Sequence, residues 1–331
     1  MLNAAVIGVG SMGRNHARVY NELPDVQLVA VVDSIDSIAQ QVAMGIGVPY
    51  YTDYRVMLKE VRPDVVSIAV PTAHHEEVGL AALEAGAQVL IEKPIAATIE
   101  GGLKLIHKAG ELDRQLMVGH IVRFNPAIQK LKEKLVEGEL GRIFQVICRR
   151  VGPFPNRIRD VGVVVDLATH DLDVMRFITG SDPIRVYAET EHRINTELED
   201  LVLGLLRFPG GITGGIEINW LTPTKVREIL VLGERGLFRV DDLAQDLFFY
   251  ENAYQADNLW QTFQTLKGVS EGYMTRFALQ RYEPLKAEIQ AFIQAVQCGA
   301  PMPVTGEDGI AALRLALALV ESGQTNQVVQ V

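Results

Sequence analysis

Gly8-Val9-Gly10-Ser11-Met12-Gly13 spaces three glycines as G-x-G-x-x-G, directly after an apolar run at 4–7 and directly before a helix-like run. That context is what a phosphate-binding turn requires. Gly8 permits the tight turn, Gly10 lets the main chain approach a pyrophosphate, and Gly13 lets the helix pack closely on the strand. Ser11 and Met12 open the helix, whose free N–H groups and positive dipole end suit a diphosphate. Asp33 follows Gly13 by twenty residues, at the end of the second apolar run. A carboxylate there accepts the ribose hydroxyls and repels a 2′-phosphate, so the pattern predicts NAD over NADP. Read otherwise, Asp33 is a turn residue capping the next helix, a task Asp36 can also perform.

Two further groups suit proton transfer. Glu92-Lys93-Pro94 follows the apolar run 89–91, which puts Lys93 at the carboxyl edge of a parallel sheet, where ligands sit. Its ammonium can hydrogen-bond a reacting hydroxyl oxygen, though a lysine at a strand end is more often a surface charge. Asp166 and His170 stand four residues apart at the start of a helical pattern and so share a face. A carboxylate beside an imidazole raises its proton affinity and orients it, which suits a general base. The plain alternative is a helix cap with a satisfied polar neighbour.

Arg149, Arg150, Arg157 and Arg159 bring four guanidinium groups within eleven residues. Arginine binds phosphate oxygens in bidentate fashion, and the segment leads into the Asp166–His170 helix. Strand alternation sends Arg149 and Arg150 to opposite faces, so one of them at most faces a ligand. Arg157, Arg159 and Arg150, with Asn125, are the substrate candidates. Lys225 and Arg227 are weaker ones. The two cysteines, Cys148 and Cys298, cannot form a disulfide framework. There is no H-E-x-x-H, so no metal is expected.

These groups need elements to hold them. In the first third, short apolar runs at 4–7, 26–32, 65–70 and 89–91 alternate with helix-like spacing at 14–23, 37–44, 54–60 and 75–84. Continuous apolar strands alternating with helices predict a doubly wound parallel sheet of Rossmann type. After about residue 121 the periodicity changes. A helix at 125–136, with Asn125 as cap and Pro126 in its first turn, precedes a strand at 143–150 and a helix at 165–178. Strand-like runs follow at 184–191, 201–208, 212–220, 226–232, 237–240 and 247–250, with helices at 283–297 and 307–322 closing the chain. The expectation is an α/β protein: a Rossmann domain over 1–121 and an α+β domain over 122–331 with a large open, mostly antiparallel sheet.

With 31 basic and 41 acidic residues the net charge is −10. That excludes an overall field for nucleic acid or an anionic membrane, so an anionic substrate needs a local basic cluster. Hydrophobic residues make up 48% and charged residues 22%, which excludes a disordered or fibrous chain. No leader or spanning segment is read, and a cytoplasmic location is the expectation.

The ordered set resembles the Gfo/Idh/MocA family of sugar oxidoreductases over nearly the whole chain. It consists of the glycine loop followed by His16, Pro71 with His75, Ala85-Gly86 before Glu92-Lys93-Pro94, Asp166 with His170-Asp171, and Gly306-Glu307-Asp308-Gly309. The resemblance implies NAD as cofactor, with Pro71, Thr72, His75, Glu92 and Lys93 lining its site beside the glycine loop. It implies Lys93, Asp166 and His170 as the catalytic group, and a homodimer or homotetramer built through the second domain's sheet. Thr72 departs from the asparagine common at that position. A narrower likeness, at 149–162 and 219–223, is to the branch acting on the 3-hydroxyl of UDP-N-acetylglucosamine. A free polyol such as an inositol is the alternative substrate, and a non-catalytic NAD sensor is a third reading. In the catalytic reading either His170 takes the hydroxyl proton while Lys93 holds the oxygen, or the two exchange roles.

Overall fold

The first apolar run becomes β1 (Leu2–Ile7), whose last four residues are buried. It is followed by α1 (Gly13–Glu22), β2 (Val26–Val32), α2 (Asp36–Ile46), β3 (Tyr50–Tyr51), α3 (Tyr54–Val61), β4 (Val65–Ile68), α4 (His75–Glu84), β5 (Gln88–Glu92), α5 (Ile99–Glu111) and β6 (Leu116–Gly119). The structure, a computed structural model, describes residues 1–154, 161–194, 197–254 and 269–331. The six strands pair in the order β3-β2-β1-β4-β5-β6, all parallel. Burial on both faces explains why these strands read as unbroken apolar runs. The order reverses between β1 and β4, so their carboxyl ends open a crevice there. The glycine loop, Asp33, Pro71 and Lys93 all follow strand ends on that edge. Polar caps set the helix starts: Asp53 accepts from Arg55 N at 2.8 Å, and Thr98 Oγ1 from Gly101 N at 3.1 Å.

The second part begins with α6 (Pro126–Val136), with Asn125 Oδ1 accepting from Ala127 N at 2.9 Å. Next come β7 (Ile143–Pro153), α7 (Thr169–Thr179), β8 (Arg185–Glu191), β9 (Leu201–Arg207), β10 (Thr213–Asn219), β11 (Leu221–Gly233), β12 (Gly236–Asp241), β13 (Asp246–Tyr254) and β14 (Val269–Arg276). After these lie α8 (Pro284–Cys298), α9 (Gly306–Thr325) and β15 (Val329–Gln330). The second sheet runs β14-β13-β12-β11-β7-β10-β9-β8-β15. All its pairs are antiparallel except β10 with β7. Gly210 and Gly211, at φ +71° and +90°, make the turn between β9 and β10.

Two units emerge, one of residues 1–124 with 282–314 and one of 125–281 with 315–331. The first change of unit lies close to the expected 121/122 boundary. Residues 282–314, read from sequence as part of the second domain, fold within the first unit. There α8 buries Leu285, Ile289 and Phe292, while Lys286 bonds Glu22 of α1 at 3.0 Å. Among the described residues no helix is long and apolar enough to cross a membrane.

Candidate active site

Gly8 sits at φ +84°, and a Cβ there would lie 2.7 Å from Ala69 O. A Cβ on Gly13 would lie 1.7 Å from Gly8 O. Both glycines are therefore demanded by the turn itself. At Gly10, by contrast, a Cβ would meet nothing within 4 Å, so the loop leaves open space beside its main chain. The first turn of α1 carries no acidic residue, and Met12 supplies no side-chain cap. That leaves the N–H groups and the positive end of the helix without an internal anion. Asp33 reaches back to the loop: one carboxylate oxygen accepts Val9 N–H and the other accepts Ile35 N–H, each at 3.0 Å. These features fit the diphosphate and ribose of a dinucleotide.

After β4, Pro71 and Thr72 enter a short turn leading to His75. His75 is 1% exposed, with Nδ1 facing Pro94 O at 2.8 Å and Nε2 facing Val70 O at 3.0 Å. It ties the β4 loop to the turn after Lys93, and its ring is consumed by those carbonyls rather than presented to a ligand. Burial pulls its proton affinity below the ordinary value despite the two carbonyls. Glu92 is also buried. Its Oε1 lies 3.0 Å from His16 Nε2 and its Oε2 accepts Lys93 N–H at 3.3 Å. Burial pushes this carboxyl up, but the His16 hydrogen bond, with nearby positive charge, outweighs it and holds it below the usual carboxylate range. Lys93, half-buried, follows at the strand end.

In the second unit, residues 164–168 form one wide π-helical turn before α7 begins at Thr169. Asp166 is in that turn and His170 in the first turn of α7. Wide turns of this kind concentrate at functional sites. The start of the helix is held from outside, since Glu199 Oε1 accepts Val164 N–H at 3.1 Å. A Cβ on Gly162 would come within 2.2 Å of the Glu199 carboxylate, so a larger residue there would displace the side chain that holds Val164. Burial pushes the Glu199 carboxyl upward.

The expected arginine cluster divides. Arg149 faces the other side of the sheet and pairs with Glu217 at 2.9 Å. Arg150 is buried; its Nε donates to Asp171 at 2.6 Å and its guanidinium lies 3.7 Å from Asp242. Asn125 Nδ2 donates to Asp242 O at 2.9 Å and to its carboxylate at 2.7 Å, while its oxygen caps α6. Arg150 and Asn125, read from the sequence as substrate candidates, thus each have partners inside the unit. Arg157 and Arg159 lie outside the described residues. Arg227 stands across from Arg150 on the neighbouring strand, and its Nη1 donates to Val151 O at 2.8 Å and Val226 O at 2.9 Å. Burial, with Arg150 adding repulsion, pulls it down to about 10. Asp171 is pushed up by burial, although Arg150 opposes the shift.

Sequence reasoning missed three partners. His16 was detectable, since Gly13, His16, Ala17 and Tyr20 form the buried i, i+3, i+4, i+7 face of α1, and a histidine there needs a polar partner. Glu199 and Asp242 act from strands and turns distant in sequence and leave no local pattern. No group of three or more metal-type side chains is present among the described residues.

Residues 2–120 match the oxidoreductase family with an NAD-binding Rossmann fold, Gfo/Idh/MocA. Residues 128–239 match the GFO/IDH/MocA C-terminal domain. The chain is 30% identical to a UDP-N-acetylglucosamine 3-dehydrogenase of Acidithiobacillus ferrooxidans, over 96% of this chain and 95% of that one. It is 27% identical to a myo-inositol 2-dehydrogenase of Thermotoga maritima, over 97% and 96%. A solved structure of the Acidithiobacillus ferrooxidans UDP-N-acetylglucosamine 3-dehydrogenase superposes with TM-score 0.85 at 29% identity, covering 98% of each chain.

Proposed function

The chain belongs to the Gfo/Idh/MocA oxidoreductase family, with NAD as cofactor, and from that premise we propose that it oxidises the 3-hydroxyl of UDP-N-acetylglucosamine. The observation that carries this reading is full-length likeness, in sequence and in fold, to an enzyme of that name. Sequence adds Arg157 and Arg159, two cations just ahead of the Asp166–His170 helix, as ligands for the substrate diphosphate.

Gly8, Gly10, Ser11, Met12 and Gly13 hold the cofactor's diphosphate, Asp33 its adenosine ribose, and Pro71, Thr72 and Lys93 line its other end. Bound there, the nicotinamide supplies the acceptor for the hydride lost by the carbinol carbon. His170 takes the hydroxyl proton at a ring nitrogen. The Lys93 ammonium donates to the same oxygen and stabilises the charge that builds as the proton leaves. Asp166 orients the imidazole. The fixed start of the helix, through Glu199, keeps Asp166 and His170 in place. Asp33 keeps both oxygens on main-chain N–H groups, so it stays directed at the loop and disfavours a 2′-phosphate.

A second reading has support from the ion pairs. Arg149 and Arg150 are neutralised within the protein, which suits a neutral polyol better than a diphosphate. The test is reduction of NAD, followed by absorbance, across a panel of UDP-sugars and free inositols, with free UDP as competitor. Oxidation of UDP-N-acetylglucosamine with competitive inhibition by UDP is expected. Ready oxidation of an inositol, with no effect of UDP, overturns the nucleotide-sugar assignment.

A further inference from the structure

The turn that carries Lys93 is anchored to the helix that opens the glycine loop. His16 lies one turn into α1, 1% exposed, between two partners: Glu92 Oε1 at 3.0 Å from Nε2 and Ser67 Oγ at 3.2 Å from Nδ1. Ser67 Oγ is in turn 2.8 Å from the Tyr20 hydroxyl. All four side chains belong to the first unit and all are buried.

The directions of these bonds follow from donor counts. An ionised carboxylate only accepts, so His16 Nε2 carries the hydrogen that meets Glu92. Nδ1 of a neutral ring then accepts, and it takes the Ser67 hydroxyl. Ser67 in turn accepts from Tyr20, whose phenol burial pushes upward and keeps as a donor. Each hydrogen in the chain then has an acceptor. The titratable groups facing it are Lys93 and His75 at the Glu92 end and Glu288 of α8 at the Tyr20 end.

An isolated buried carboxyl tends to keep its proton, because desolvation disfavours the charged form. Glu92 does the opposite. The difference comes from the hydrogen bond of His16, with help from the neighbouring positive charge. We propose that His16 is a positioning residue: by donating to Glu92 it fixes the carboxylate that accepts the Lys93 main-chain N–H, and thereby holds Lys93 ready for the reacting oxygen. The inference rests on the reading of Lys93 as the group that meets that oxygen. Because α1 starts at the glycine loop, one helix both offers its N-terminus to the cofactor and secures the catalytic turn.

The test compares His16→Leu, His16→Gln and Glu92→Gln with the unmodified protein, each checked for folding by circular dichroism. The readout that needs no substrate is the rate at which an amine-selective reagent labels Lys93 at fixed pH, followed by peptide mass spectrometry. A turn released from this anchor opens more often and presents its amine to the reagent, so Lys93 in His16→Leu and Glu92→Gln should be labelled several-fold faster. His16→Gln keeps a donor for Glu92 and should stay near the unmodified rate. With substrate, kcat should fall about tenfold or more in the first two variants while the NAD affinity of His16→Leu, measured by fluorescence titration, holds within about twofold. An unchanged labelling rate in folded His16→Leu overturns the proposal. Should that variant fail to fold, unchanged labelling in the nearly isosteric Glu92→Gln overturns it equally. A shifted labelling rate in a protein that oxidises no sugar would uphold the anchor and remove the catalytic reading instead.

Discussion

The glycine loop allows a prediction that separates folding from cofactor binding. A Cβ on Gly13 would lie 1.7 Å from Gly8 O, whereas one on Gly10 would meet nothing within 4 Å. Gly10 is also outside the positive-φ region. Gly10→Ala therefore leaves the apo fold intact, and the smaller unfolded ensemble of alanine even favours it by about 0.4–1 kcal/mol. The new methyl group fills the space kept for the diphosphate, and overpacking of that kind costs about 1–3 kcal/mol. At 1.4 kcal/mol per factor of ten, NAD affinity should fall by about 5- to 150-fold. Gly13→Ala has its clash inside the protein, so it should lower the apo melting temperature itself. The assay is thermal unfolding with and without NAD. Saturation at a hundred times Kd stabilises by about 2.7 kcal/mol, worth several degrees in a chain of this size. Gly10→Ala should keep the apo transition and, at the same NAD concentration, lose about a third to nine-tenths of the NAD-induced shift. A full NAD shift in Gly10→Ala, or an apo transition lowered as far as in Gly13→Ala, would refute the reasoning.

Arg150→Met leaves Asp171 buried without its partner and should destabilise by about 3–5 kcal/mol; denaturant unfolding should show most of that recovered in Arg150→Met with Asp171→Leu. If the single variant instead raised only the substrate KM, Arg150 would be a ligand after all. His75 has a depressed proton affinity in the folded state, so its contribution is intact above about pH 6.5 and is lost as pH falls from there through the folded-state value. The urea midpoint should drop over that window in the unmodified protein and flatten in His75→Gln, and equal slopes would remove His75 as the cause. On the open side of the second sheet, Leu203 and Leu205 are 53% and 59% exposed, and Tyr187 pairs with Leu205. Leu205→Glu should convert a sheet-mediated oligomer to monomer in sedimentation velocity, and an unchanged sedimentation coefficient would place the assembly contact elsewhere.

The parallel unit was legible because its information is local. Each buried strand is an apolar run, each helix follows at the expected spacing, and the turn that needs Gly8 and Gly13 needs them for contacts made within a few residues or with the next strand. The second unit was legible where alternation is strong, as in β9 and β12. It failed at the margins. β14 carries Gly272 and several exposed side chains, so its pairing rests on main-chain bonds that no side-chain period reports. β11 begins at Leu221, ahead of the expected 226, because its register shifts between Leu221 and Val226, across Pro223. The return of α8 to the first unit is a contact of long sequence range, and no window of local periodicity contains it.

The same distinction explains the arginines. Four guanidinium groups in eleven residues read as a phosphate site only if their charges are unspent, and a sequence shows charges without their partners. Asp171 is twenty-one residues from Arg150 and Glu217 sixty-eight from Arg149; neither distance is a motif. By contrast, the alternation argument, that consecutive strand residues face opposite ways, needed no partner, and the two side chains do part to opposite faces. Position along an element is thus the safer inference, and the state of a charge the riskier one. Applied to Lys93, the rule says that its place at the end of β5 was readable from the chain. The carboxylate beside it was readable too, as the preceding residue, whereas the hydrogen bond from His16 to that carboxylate had to be found in three dimensions.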